Sequence, residues 1–355
     1  MVFTINMNLT DSSTAELVFG RYEFVDESPA VAIPILIILV LASFIGTFGN
    51  SLILITIITT KNLQRLECIF MANLAFSDMY VTLLADPLSI VAKLEGEEFF
   101  DKLPGFCRTV ASGCTIACMN SLGSITLLSF NRYVYICHHK YYFQIFQKKT
   151  CIIMCCCLYG IGFTLVLLNF AGIGDHSFDR KSLECIWDRL DTYPYTVMFS
   201  VTLVWIPVII VGFSYLSIFL SVHKSRQNIK HSSSMRKTSY SSGLARTLFI
   251  IYAVFTTCWI PYALLIVSDR YNTFPHEVHI YITVWAHLHP SFNWLVYYFT
   301  NTKFQAAFNR IAHVDKIFGR CRERQSNEEL STSGGLQKSE TNKHHESTEL
   351  SDITK

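Results

Sequence analysis

The chain has 355 residues, 51% hydrophobic and 16% charged, with a formal net charge of +2 and a mean hydropathy of +0.33. Soluble domains carry about a quarter charged residues, whereas the apolar residues here gather into seven long runs almost free of charge. This excludes an ordinary soluble enzyme, a disordered chain, a collagen-like fibre and a small disulfide scaffold.

Residues 1–31 form a polar N-terminal segment in which Asn8-Leu9-Thr10 is an N-glycosylation acceptor. No basic stretch precedes an apolar core there, so the first run is expected to act as its own signal. The seven runs cover residues 32–58, 68–91, 107–137, 149–170, 194–222, 246–268 and 278–300. At about 1.5 Å per residue each can cross about 30 Å of hydrocarbon. They predict an all-α membrane protein, a seven-helix bundle over residues 32–300 with its termini on opposite sides.

The N-terminal segment and even connections hold 8 Lys and Arg, against 18 in the odd connections and the start of the tail. The positive-inside bias then puts the N-terminus outside and the C-terminus in the cytoplasm. The outer segments carry 16 acids, which favours cationic or neutral ligands over strongly anionic ones.

Away from their ends the runs hold two carboxylates, Asp78 and Asp86, and no lysine. A charge at the bilayer centre costs at least about 2.5–3.5 kcal/mol, so each is a functional candidate. Asp78 could be met by Asn50, Ser121, His289 and Asn293, as a packing network or as a cation or water site. Asp86 precedes Pro87, whose missing N–H loosens the helix; it either lines an outer cavity or has a structural role near the headgroups. Cys107 and Cys185 are the two cysteines on the oxidising side and are expected to pair. The third run ends in Asn131-Arg132-Tyr133, an arginine without an adjacent carboxylate that can snorkel or bond a partner's backbone. Cys151, Cys155, Cys156 and Cys157 lie in an apolar run without His or carboxylate nearby and read as buried or lipid-facing thiols.

The fifth connection holds Ser232, Ser233, Ser234, Thr238, Ser239, Ser241 and Ser242 among bases, a phosphorylation target or a solvated linker. Residues 301–318 read as an amphipathic cytoplasmic helix with Phe304, Ala307, Phe308 and Ile311 on one face. Residues 319–355 read as a disordered cytoplasmic tail, beginning with Cys321, a palmitoylation candidate or a plain thiol. No internal repeat is visible.

Gly49-Asn50, Leu74-Ala75-Phe76-Ser77-Asp78, Asn131-Arg132-Tyr133, Cys258-Trp259-Ile260-Pro261, Pro207 with Tyr215, and Asn293 to Tyr297 followed by Phe304 together resemble rhodopsin-like G-protein-coupled receptors over residues 32–312. Asn131 to His138, Asn169 and Ala171-Gly172 are similar to melatonin receptors. The resemblance implies a receptor, not an enzyme, that needs no cofactor and binds no nucleic acid. Its partners would be a heterotrimeric G protein, of the inhibitory type by the melatonin likeness, arrestin and receptor kinases at the tail, and a small-molecule or peptide ligand.

The ligand positions depart from that branch. Arg189 replaces a loop glutamine, Leu203 a span-five histidine, His287 a span-seven tyrosine and Ile266 a glycine, so a ligand other than melatonin is expected. Cys114 stands where amine receptors have an aspartate, and His287 where opsins have their lysine. His287 reads as a polar or pH-sensitive ligand contact or a packed structural histidine.

Three further departures concern switching. Trp294 follows Asn293 where proline is usual, with Pro290 earlier, which moves the kink outward by about one turn. Tyr159 replaces a tryptophan. Ser241 replaces the acid that often holds the span-three arginine, so Arg132 would lack a carboxylate on both sides, predicting a weakened inactive state and basal signalling.

The mechanism this implies is a population shift. A ligand or acidification acts among Asp86, Cys114, Asn169, Arg189, Trp259, Tyr262, Thr283 and His287. Trp259 above the Pro261 kink, with Leu122, Pro207 and Phe255, relays the change, and span six swings to uncover Arg132, Tyr215 and Tyr297. The competing readings are a non-coupling partner of other receptors and a seven-helix transporter or channel, which would need a polar pathway.

Overall fold

The computed structural model describes residues 24–228 and 235–311; side chains are not described at residue 62 and at 225–248. The chain divides into two units, residues 1–304 and 305–355. Asn8, Cys321, the expected tail 319–355 and the side chain of Ser241 all lie outside the described residues.

Among the described residues, six helical stretches are long and apolar enough to cross a membrane: Pro29–Thr59, Glu67–Asp101, Phe106–Cys137, Lys148–Ala171, Tyr193–Lys224 and Phe249–Ser268. We refer to them as spans one to six. Span six is the outer part of a longer helix, Met235–Ser268. Span seven consists of two 12-residue helices, His276–His287 and His289–Thr300, that meet at Leu288. Pro290 can offer no N–H to the carbonyl of Ala286, and the break falls beside it, outward of Asn293, as its position in the sequence suggests.

Span two differs most from expectation. The helix does not stop at residue 91 but continues as Asp86–Asp101, broken only at Gly96, whose φ of 65° suits a residue without a Cβ. Lys93, assigned from the sequence to an outer connection, is therefore in the helix and 1% exposed. Inward of Asp86 the helix opens into a π turn, Val81–Ala85, at the carbonyls that Pro87 leaves without an α-helical donor. Span five has the same device, a π turn at Val201–Trp205 before Pro207.

The π turn of span two absorbs one residue without turning the helix. At about 100° per residue, Asp86 would otherwise point about 80° away from Asp78. With one residue absorbed, Glu67, Asp78, Asp86 and Lys93 fall within about 20° of each preceding member. All four are buried, so span two carries one polar stripe along the interior of the bundle.

Close approach of spans one and seven depends on Gly49. A Cβ there would lie 1.9 Å from Cδ1 of Trp294, so only glycine lets the indole pack on that backbone. Outside the bundle, strand β1 (His176–Asp179) pairs antiparallel with β2 (Glu184–Trp187), with Phe178 opposite Cys185. Cys185 is joined to Cys107 at the head of span three, as expected, and every residue of β2 is buried. The inner connection after span three holds a short helix, His139–Ile145. The final described helix is Thr302–Ile311; Phe304 near its start is buried and stacks on Tyr297 at 5.4 Å.

Candidate functional site

The outer cavity is built by spans three, five, six and seven and closed by β2. Its walls include Cys114 and Thr115 of span three, Phe199 and Leu203 of span five, Trp259 and Tyr262 of span six, Thr283 and His287 of span seven, and Ile186 and Trp187 of the hairpin. Its free volume is about 30 Å³, room for about two water molecules. Five of the eight expected ligand residues meet here: Cys114, Trp259, Tyr262, Thr283 and His287.

Asp86 is not on the wall but reaches it through His287, whose Nδ1 is 2.9 Å from Asp86 Oδ1. The other ring nitrogen lies 3.4 Å from Glu184 Oε2, and Glu184 Oε1 accepts from Lys93 Nζ at 2.8 Å and from Ser89 Oγ at 2.7 Å. Lys93 also donates to the backbone oxygens of Ser182 and Leu183. The assignment of Lys93 to an outer connection is thus corrected: this lysine is buried and paired with Glu184, and Asp86 has His287 as its basic partner. Burial alone would raise the Glu184 pKa, but Lys93 and His287 outweigh it and hold the carboxyl below the ordinary glutamate range. Two acids, Asp86 and Glu184, thus face two bases, Lys93 and His287.

Asn169 and Arg189 are turned elsewhere. Asn169 Nδ2 is hydrogen-bonded to Nδ1 of His176, whose Nε2 is 2.9 Å from Thr115 Oγ1. Burial pushes the His176 pKa down to about 4. Arg189 clamps the outer connections together, donating to the Asp269 carbonyl at 3.2 Å and to Asn272 Oδ1, with Asp179 Oδ2 3.8 Å from its Nε.

In mid-bundle, Asp78 accepts from Ser121 Oγ at 2.6 Å and from Asn293 Nδ2 at 2.5 Å. Asn50 and His289, the other expected contributors, do not join them. Asn50 Nδ2 donates to the carbonyl of Pro290 at 3.0 Å, using an acceptor beside the span-seven break, and the His289 ring packs edge-on to Phe255 at 5.9 Å.

At the inner end, Arg132 is 6% exposed, with its guanidinium 2.8 Å from Glu67 Oε1. Arg132 therefore has a carboxylate, contributed by span two instead of its own neighbour. Asn131 donates to the Tyr142 hydroxyl at 3.3 Å, fastening the short inner helix, and the Tyr133 hydroxyl bonds His138 at 2.9 Å. Tyr215 and Tyr297 are buried; Tyr215 meets Phe249 edge-on at 5.6 Å. Leu122 and Phe255 are fully buried below Trp259, and Pro261 lies inside the span-six helix. A second cavity of about 930 Å³ opens beside the Arg132–Glu67 pair. Cys151 and Cys155 are buried, and Cys156 and Cys157 point outward.

Sequence reasoning missed Glu67, Lys93, Glu184, His176 and Trp187. For Glu67 a signal existed, its spacing of eleven residues, about three helical turns, before Asp78.

The sequence profile for the 7 transmembrane receptor (rhodopsin family) matches residues 49–297. The chain is 25% identical to melatonin receptor type 1B-B of Danio rerio, over 80% of this chain and 83% of that one. It is 24% identical to melatonin receptor type 1B of Homo sapiens, over 80% and 79%. Squid rhodopsin superposes with a TM-score of 0.69 at 20% identity, covering 81% of this chain and 87% of its own.

Proposed function

Because the chain belongs to the rhodopsin-like family of seven-transmembrane receptors, and so is a multi-pass G-protein-coupled receptor, we propose that it sits in the plasma membrane with its N-terminus outside. An event in the outer cavity is passed through Trp259, Phe255 and Leu122 to the Arg132 end of span three. Span six moves there and exposes Arg132, Tyr215 and Tyr297 to a heterotrimeric G protein. Similarity to melatonin receptors favours the inhibitory type, and arrestin and receptor kinases would act at the tail. The observation that carries this reading is the buried Arg132–Glu67 pair at 2.8 Å, a restrained cation at the inner end of the span that also lines the outer cavity.

The ligand is a different matter from the fold. The cavity wall carries Leu203 and His287, and Arg189 is engaged with Asp269, so the polar contacts are not those the melatonin branch implies. We therefore read the ligand as a small molecule or peptide other than melatonin. Asp78, held by Ser121 and Asn293, is the proposed cation or water site that changes occupancy between the two packings.

The test is G-protein activation across a panel of subtype sensors, comparing wild type with Arg132→Ala at matched surface expression, before and after ligand screening. Activity present in wild type and lost in the variant supports coupling and identifies the subtype. Normal surface delivery with no activation of any subtype under any stimulus would instead favour a non-coupling partner protein.

A further inference from the structure

We infer that Cys114 and Cys118 form a binding site for one thiophilic divalent cation of the zinc type, opening on the outer cavity. The inference goes beyond the receptor reading and does not depend on it.

The two residues are four apart in span three, which stacks their side chains one turn from each other on one helix face. This is the spacing at which a helix presents two side chains to a zinc ion. Neither is in a disulfide. Both line the cavity, each is 8% exposed, and their sulfurs are 3.9 Å apart. Two thiolates bound to one tetrahedral zinc ion at about 2.3 Å lie about 3.8 Å from each other, so the pair already stands at the separation that a shared ion requires. The same sequence spacing recurs at Cys151 and Cys155 of span four, which lie outside this cavity.

The remaining coordination positions follow from what lies beside the sulfurs. Among the described residues no three metal-binding side chains come together. His287 shares the cavity wall, but its Nδ1 is engaged with Asp86 at 2.9 Å and its Nε2 faces Glu184 at 3.4 Å. The free volume of about 30 Å³ holds about two waters, the number that completes a four-coordinate shell. An incoming ligand with a nitrogen or sulfur donor can take the place of either water.

Charge selects the ion. Each thiol releases its proton to water on binding, so two thiolates and one divalent cation make a neutral unit, the form that a wall of mostly apolar side chains tolerates. Copper(I) on the same pair would leave a net negative charge there. Calcium and magnesium prefer oxygen donors and find none in the two sulfurs.

The probe is Cd²⁺, which takes thiolates as zinc does and gives a thiolate-to-metal charge-transfer band in the ultraviolet. It is titrated, without reductant, into the full receptor in lipid nanodiscs, a readout that needs no G protein. The band should saturate with one ion per receptor, recede in excess Zn²⁺ and persist in Ca²⁺ or Mg²⁺. Cys114→Ser and Cys118→Ser should each weaken Cd²⁺ binding by more than about 100-fold, since losing an outer-shell partner alone costs about 10- to 100-fold. Cys151→Ser should leave the band unchanged. Should a serine variant fail to reach the surface, alanine at the same position, which brings no hydroxyl into the cavity, is read the same way. A folded wild type that gives no saturable band overturns the inference, as does a band that survives both cavity substitutions. A receptor that couples to no G protein would count against the proposed function and leave this titration unaffected.

Discussion

Glu67→Gln tests whether the carboxylate of span two restrains Arg132. The change keeps the side chain's shape and removes its charge. Breaking a fully buried pair by removing one partner costs about 3–5 kcal/mol. Here the side chains are 7% and 11% exposed and a cavity of about 930 Å³ adjoins them, so water reaches the orphaned guanidinium and about 1–3 kcal/mol is the better figure. If span six must swing and Arg132 must leave Glu67 for the active packing to form, that penalty falls on the inactive state alone. It then multiplies the active population about 5- to 150-fold. Starting from about 1% active, the variant becomes mostly populated in the active packing at the upper end, and about 5% populated at the lower. Nucleotide exchange by purified receptor in nanodiscs, at equal receptor and G-protein concentrations, reads this directly. Glu67→Asp, shorter but charged, should fall between, and Glu67→Gln with Arg132→Ala should return to the level without receptor. Basal exchange unchanged in a well-folded Glu67→Gln receptor would refute the reasoning, and would return the restraint of Arg132 to packing.

Gly49→Ala should cost about 1–3 kcal/mol by overpacking, because its Cβ would overlap Trp294; the melting temperature of the purified receptor should drop, and Trp294→Leu should recover much of it. The hairpin should loosen in acid. His176 has a pKa of about 4 when buried against about 6.5 when free, so its contribution is complete above about pH 6.5 and is lost as pH falls toward 4, by about 3 kcal/mol in all. Protection factors of residues 176–187, which correct exchange rates for their intrinsic pH dependence, should fall from pH 7 to 5 in wild type and change much less in His176→Gln, and an equal fall in both would assign the effect elsewhere. Deleting Leu84, in the π turn, should leave the outer half of span two facing inward, whereas deleting Ile90 should turn Lys93 about 100° away from Glu184. Surface delivery should survive the first deletion and fail with the second.

How far the sequence carried the fold depends on which physical signal each element sends. All seven spans and the Cys107–Cys185 bond announce themselves because lipid demands long apolar runs and the oxidising side leaves two cysteines to pair. Within span seven the place of the break is legible from Pro290. The candidate site is most legible where a motif names the residue, as at Asp78, whose partners Ser121 and Asn293 are legible with it, whereas the partners of Arg132, Asp86 and Lys93 are not. Lys93 meets Glu184 across 91 residues and His287 meets Asp86 across 201, distances over which hydropathy and periodicity carry no information. Hydropathy in fact misleads, since it ends span two before Lys93 on the assumption that an ammonium stays in water. The assumption fails because the hairpin brings a carboxylate and two backbone carbonyls to it, and a buried charge is tolerated when paired and hydrogen-bonded. Helical register fails for a related reason. Eight residues from Asp78 to Asp86 put the two acids on different faces of a regular helix, so nothing in their spacing says that they share a stripe. The π turn at Val81–Ala85 realigns them, and with them Glu67 and Lys93. Each of the four then finds its partner outside span two: Arg132 on span three, Ser121 and Asn293 on spans three and seven, His287 on span seven, and Glu184 on the hairpin. Span two thereby touches the Arg132 pair, the middle network and the outer cluster along one continuous helix, so a displacement of the hairpin has a covalent route to Arg132 beside the one through span six.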